Sequence, residues 1–171
     1  MQWIESFCDK FSKYLGIFIA FLLIIMMINV AFDTMNRYLM NSNSVALQEM
    51  EWHLFSVIIL LGTSYALSEE GHVRVDIFYT NFSAKKKAII NMIGVITFVL
   101  PLSLLVAFGS LGFVEEAYIF MEQSGDPGGL HYRFIIKGLI PTSFFILIFM
   151  SVGYFARNYN LLKRLNSGSK S

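Results

Sequence analysis

The chain has 171 residues and a net charge of +1; 56% of its residues are apolar and only 15% are charged. A soluble domain of this size needs a more polar surface, so lipid is the expected solvent for much of it. The near-neutral balance excludes a global field that would recruit nucleic acid, and a lone cysteine, Cys8, excludes an internal disulfide.

Trp3, Ile4, Phe7 and Phe11 recur at helical spacing, with Glu5, Asp9 and Lys10 elsewhere on the wheel. This predicts a short amphipathic helix over 1–13, lying in the interface with Trp3 as a headgroup anchor. A first span follows over about 14–36, uncharged between Lys13 and Asp33. It is too long for a signal-peptide core and no small-residue cleavage site follows it, so a retained helix is expected. Near its end Asn29, Asp33 and Arg37 form an i, i+4, i+8 row.

The second span covers about 45–68 and carries Glu49, Glu51 and His53 in its first turns. Glu49, Trp52 and His53 share one helical face, while Glu51 is rotated by about 200° from Glu49. If the first two helices are antiparallel neighbours, Arg37 can reach Glu49. The alternative is a charged helix end standing in the headgroups. The tract GHVRVDIF (71–78) then places His72, Arg74 and Asp76 at a membrane boundary, and Lys85, Lys86 and Lys87 are expected to meet anionic headgroups.

The third span, about 88–114, is uncharged and contains Pro101, which should kink it or free a carbonyl. An acidic connection follows with Glu115, Glu116, Glu122 and Asp126, then the turn signals of SGDPGGLHYR. Arg133 and Lys137 lie about one turn apart, as interfacial snorkelling cations or as docking charges beside Glu122 and Asp126. The fourth span is expected over about 134–156, its uncharged stretch starting at Gly138, so that Pro141 falls in the first turn. Residues 158–171 read as a tail.

Lysine and arginine set the orientation. The N-terminal tail carries two, the 68–87 connection four and the C-terminal tail four, against three on the other two connections. Both termini and GHVRVDIF are therefore expected in the cytoplasm. The fold class is an all-α integral membrane protein: a four-helix membrane domain over 14–157 plus short interfacial amphipathic helices.

Other chemistries find little support. There is no P-loop, no nucleophile-elbow motif and no zinc-ligand spacing, so no enzyme is expected. A haem-bearing four-helix subunit would need facing histidines, and only His53, His72 and His131 exist, not all on one side. A self-sufficient small oligomeric transporter using Glu49 stays open, although that carboxylate is shallow for a midplane site.

Two stretches carry a family resemblance. LQEMEWHLFSVIILLGTSYALSEEGHVRVDIF (47–78) and DPGGLHYRFIIKGLIP (126–141) resemble the small, DctQ-like membrane subunit of tripartite ATP-independent periplasmic (TRAP) transporters. That family typically opens its second helix with an acidic pair, where this chain has Gln48-Glu49. The resemblance implies a bacterial inner-membrane scaffold of four helices bound to a much larger, DctM-like elevator subunit. That subunit would hold the sodium and substrate sites, leaving no cofactor in this chain. A periplasmic binding protein would deliver an organic acid anion. Under this reading Arg37, Glu49, Trp52, His53, His72, Arg74 and Asp76 are candidate structural or partner contacts. Glu122, Asp126, Arg133 and Lys137 are candidates for docking the binding protein, and phospholipid meets Trp3 and Lys85–Lys87.

Overall fold

The structure, a computed structural model, describes residues 2–69, 79 and 82–168. Among these there are helices and turns and no strand. The helices are α1 (Gln2–Met40), α2 (Val45–Ser68), α3 (Ala84–Gly94), α4 (Leu100–Gly109), α5 (Leu111–Ile119) and α6 (Arg133–Gly168). A π-helical turn, Val95–Val99, joins α3 to α4. Helices α3 to α5 form one rod, so four rods are long and apolar enough to cross a membrane. The expected all-α, four-span architecture is what the chain adopts.

The rods run up and down. One face of the bundle, called here the termini face, carries the start of α1, the ends of α2 and α6 and the start of α3. The opposite face, called here the loop face, carries the 41–44 turn and the 120–132 loop. Rod α6 is central: α1, α2 and the α3–α5 rod all pack against it, and α1 also packs along α2.

The amphipathic segment expected over 1–13 is helical but is not a separate element lying flat. Helix α1 runs unbroken for 39 residues, about 58 Å at 1.5 Å per residue, well beyond the roughly 30 Å of a hydrocarbon core. Cys8, Ser12, Leu15 and Ile19 form its buried stripe. The stripe has an equally long partner in α6. Phe149 meets the edges of Phe7 and Phe11, each at 5.9 Å between centroids, and Asn160 donates to Glu5 at 2.8 Å. Gly153 lets the Cys8 side chain approach the α6 backbone.

Between lipid-facing helices apolar burial contributes little, and close packing of small residues takes over. Ser64, Ser103, Ala107, Ser143, Ser151 and Ala156 are all buried. Three hydroxyls return to their own rods, Ser103 to the Val99 carbonyl (2.6 Å), Ser143 to that of Ile140 (2.8 Å) and Ser151 to that of Leu147 (2.6 Å), while Ser64 donates across to the Ser143 carbonyl at 3.5 Å. Polar atoms are thereby satisfied without separating the rods. Two apolar clusters fill the remaining space: Leu15, Ile19 and Leu61, and Leu67, Val95, Leu147 and Tyr154.

The two spanning prolines are accommodated in different ways. Pro101 follows the π turn directly, so the extra residue of that turn absorbs the lost hydrogen bond. The buried stripe Ala88, Val95, Ser103, Ala107, Ala117 survives the irregularity. Pro141 is not in the first turn of its helix, because α6 begins at Arg133 and the proline lies inside it. The two hydroxyls that follow it supply nearby donors: Thr142 Oγ1 to the Gly138 carbonyl and Ser143 Oγ to the Ile140 carbonyl, both at 2.8 Å.

Candidate functional site

The polar residues with the densest set of cross-element bonds lie at the loop face. Helix α2 starts at an N-cap, Ser44, whose hydroxyl accepts from the Leu47 N–H. One turn later Glu49 points toward the 120–132 loop. Its Oε1 accepts from the Ser124 hydroxyl and its Oε2 from the Leu130 N–H at 2.5 Å. Each oxygen thus has a donor from the loop, and a charged acceptor makes both bonds stronger than neutral ones.

The loop is built to meet that carboxylate. Asp126-Pro127-Gly128-Gly129 closes with a bond from the Gly129 N–H to the Asp126 carbonyl at 3.0 Å. Gly128 has φ +82, so proline and glycine hold the two central positions of a type II turn. The Ser124 N–H bonds the Leu130 carbonyl (3.1 Å) and the Arg133 N–H bonds the Glu122 carbonyl (3.0 Å), closing the loop like the rungs of a short hairpin. Gly129 has a different reason to be glycine. A Cβ there would lie 2.8 Å from Glu49 Oε2 and on top of the Ser124 side chain. Met121 (φ 45) and Tyr132 (φ 64) adopt the left-handed conformation at the loop's two ends, a costly backbone state for side chains of this size.

Neighbouring contacts complete the face. His53 Nδ1 donates to the Glu49 carbonyl at 2.6 Å, which leaves Nε2 as the ring's acceptor. Lys137 pairs with Glu122 and lies over the Phe113 ring, 3.9 Å from its centroid. Asn29 of α1 donates to the Leu47 carbonyl at 3.0 Å, tying α1 to the first turn of α2. A recess of about 240 Å³ remains between α2 and the loop, with Gln48, Glu49, Trp52, His53, Asp126 and Arg133 among its walls.

Several expectations change. Arg37 does not reach Glu49; it pairs with Asp33 one turn earlier on α1. Asp33 is only 1% exposed, and its other oxygen has no hydrogen-bond partner among the described residues. Lys137 and Glu122 are engaged with each other, whereas Asp126 stays exposed at the loop tip and Arg133 lines the recess. Trp52 is exposed and meets Phe55 edge-on. His72, Arg74 and Asp76 lie outside the described residues. On the termini face Trp3 is 79% exposed and stacks on Phe7. Lys85 and Lys86 are exposed, and Lys87 sits over Tyr79.

Sequence reasoning missed Ser124, Gly129 and Leu130 as partners of Glu49, and it missed an amide ladder near the termini. There the Tyr79 hydroxyl donates to Asn91 and Asn91 to Asn158, both at 3.0 Å, and Asn158 donates to the Tyr154 carbonyl at 2.9 Å. Asn91 and Asn158 are polar residues inside apolar helices, which is the signal that could have found them. Among the described residues no group of three His, Cys, Asp or Glu side chains is placed to hold a metal.

Residues 26–161 match the family described as tripartite ATP-independent periplasmic transporters, DctQ component. No individual curated protein matches the chain.

Proposed function

The chain belongs to the DctQ component family of tripartite ATP-independent periplasmic transporters, and from that premise we propose that it is the scaffold subunit for a larger transporting partner. Its family is a transporter component and not an enzyme family, and the chain is a multi-pass membrane protein. The family match carries the proposal, and the architecture agrees with it. A bundle of four rods with one central helix leaves long apolar faces on α1 and on the α3–α5 rod, where Ile17, Phe21, Ile24, Ile28, Phe98 and Leu105 are exposed. Such faces suit lipid or a large membrane partner.

In this reading the ten-to-three bias of lysine and arginine puts the termini face in the cytoplasm and the loop face in the periplasm of a bacterial inner membrane. The larger subunit carries the sodium and substrate sites, and the cargo is an organic acid anion handed over by a periplasmic binding protein. Asp126 and Arg133 are the loop-face charges available to steer that protein; steering by exposed charges is weak and salt-sensitive. Trp3 and Lys85–Lys87 anchor the other face in headgroups, and His72, Arg74 and Asp76 fix the cytoplasmic turn. Glu49 is a poor carrier for autonomous transport, because both of its oxygens hold loop donors.

Co-purification tests the proposal. Tagged chain extracted in mild detergent is expected to bring down a stoichiometric, much larger hydrophobic protein, and liposomes containing both should take up substrate only with the binding protein and a sodium gradient. Uptake by this chain alone would sink it.

A further inference from the structure

We infer that Glu49 is a positioning residue: its carboxylate clamps the 122–132 loop into a rigid platform on which the periplasmic binding protein docks. The inference rests on the subunit reading above and adds to it the group that shapes the docking surface. Four observations carry it. Both carboxylate oxygens are spent on the loop, one on a side-chain donor and one on a backbone donor about eighty residues away. Gly129 leaves room for that approach and for nothing larger. The loop's own rungs, Ser124 to Leu130 and Glu122 to Arg133, close around the same point. Beyond the clamp the type II turn projects Gly125, Asp126, Pro127 and Gly128, all exposed.

An acidic side chain in the second turn of a spanning helix is costly to place. It is accounted for if it does what an apolar residue cannot, namely hold an irregular loop that has left-handed residues at both ends. Without the clamp, Ser124 Oγ and the Leu130 N–H lose their acceptor and the loop samples other shapes. A docking partner would then have to select the clamped one, which lowers the apparent affinity by the fraction of loops still in place.

The test uses the complex of this chain with its large partner in nanodiscs, comparing wild type, Glu49→Gln, Ser124→Ala and Gly129→Ala. Amide hydrogen exchange reports the loop, the yield of large partner reports assembly, and titration with binding protein reports docking. In Glu49→Gln, exchange across 122–132 should rise about tenfold or more, the size expected for a lost charge-assisted bond. Binding-protein affinity should fall by a similar factor with assembly unchanged. Ser124→Ala, which keeps the Leu130 bond, should fall between, and Gly129→Ala should act like Glu49→Gln while keeping the carboxylate. Unchanged exchange in all three variants overturns the clamp. Faster exchange with unaltered affinity overturns the platform. Loss of the large partner also overturns it, by placing the loop in the membrane-subunit interface. Failure of the wild-type complex to hold a large partner or a binding protein refutes the subunit reading instead.

Discussion

Gly153→Ala should separate α1 from α6, and the size of the effect follows from one contact. A Cβ at Gly153 would lie 2.6 Å from Cys8 Cβ and closer still to its sulfur. Cys8 Cβ is fixed to the α1 backbone, so no rotamer relieves the clash. The two helices must widen until that pair passes 3.4 Å, where ordinary contact begins. Overpacking of this kind costs about 1–3 kcal/mol. Gly16→Ala is the control. Its new Cβ meets the outer ring atoms of Tyr65 at 2.6 Å, and a ring tip can swing aside, so the loss should be smaller. The assay is the unfolding midpoint in mixed micelles for wild type, Gly153→Ala, Cys8→Gly, Cys8→Ala and the Gly153→Ala doubles. Cys8→Gly alone costs only about 0.3 kcal/mol of helix propensity besides its lost packing, yet it removes both clashing atoms. The Gly153→Ala/Cys8→Gly double should therefore be more stable than additivity allows, and Cys8→Ala, which keeps the Cβ, should rescue less. A Gly153→Ala protein within about 0.5 kcal/mol of wild type and showing no coupling to position 8 would refute the reasoning.

Other outcomes follow from single contacts. Arg37→Gln leaves the buried Asp33 carboxylate without its cation and should lower the yield of folded protein strongly, whereas Asp33→Asn/Arg37→Gln should recover much of it, read by size-exclusion of solubilised membranes. Asn158→Leu removes the acceptor for Asn91 and should cost about 0.6–2 kcal/mol in micelle unfolding, with faster exchange in the first turns of α3. Lys137→Met breaks the Glu122 pair and the contact over Phe113, and should cost about 1 kcal/mol by the same assay. Gly128→Ala forces a side chain into φ +82 and should cost about 1–2 kcal/mol, seen as faster exchange at the Gly129 amide.

The sequence by itself determined that the chain is all-helical with four spans. The reason is local. In lipid a helix satisfies its own backbone, so hydropathy and length alone mark where one must form. The DPGG turn was legible for the same reason, since proline and glycine set φ without help from the rest of the chain. Helix ends were less legible. Residues 2–13 extend α1 because α6 is there to receive Phe7, Cys8 and Phe11, and α6 begins early because the Arg133 N–H closes the loop on the Glu122 carbonyl, eleven residues back. Partner choice was not legible at all. Arg37 could reach Asp33 or Glu49 by spacing, and only the packed bundle hands Glu49 to Ser124 and Leu130 and leaves Arg37 on its own helix. Which polar atoms meet depends on rotation and depth of neighbouring helices, and those are set by small-residue contacts such as Gly153 against Cys8, which hydropathy does not record.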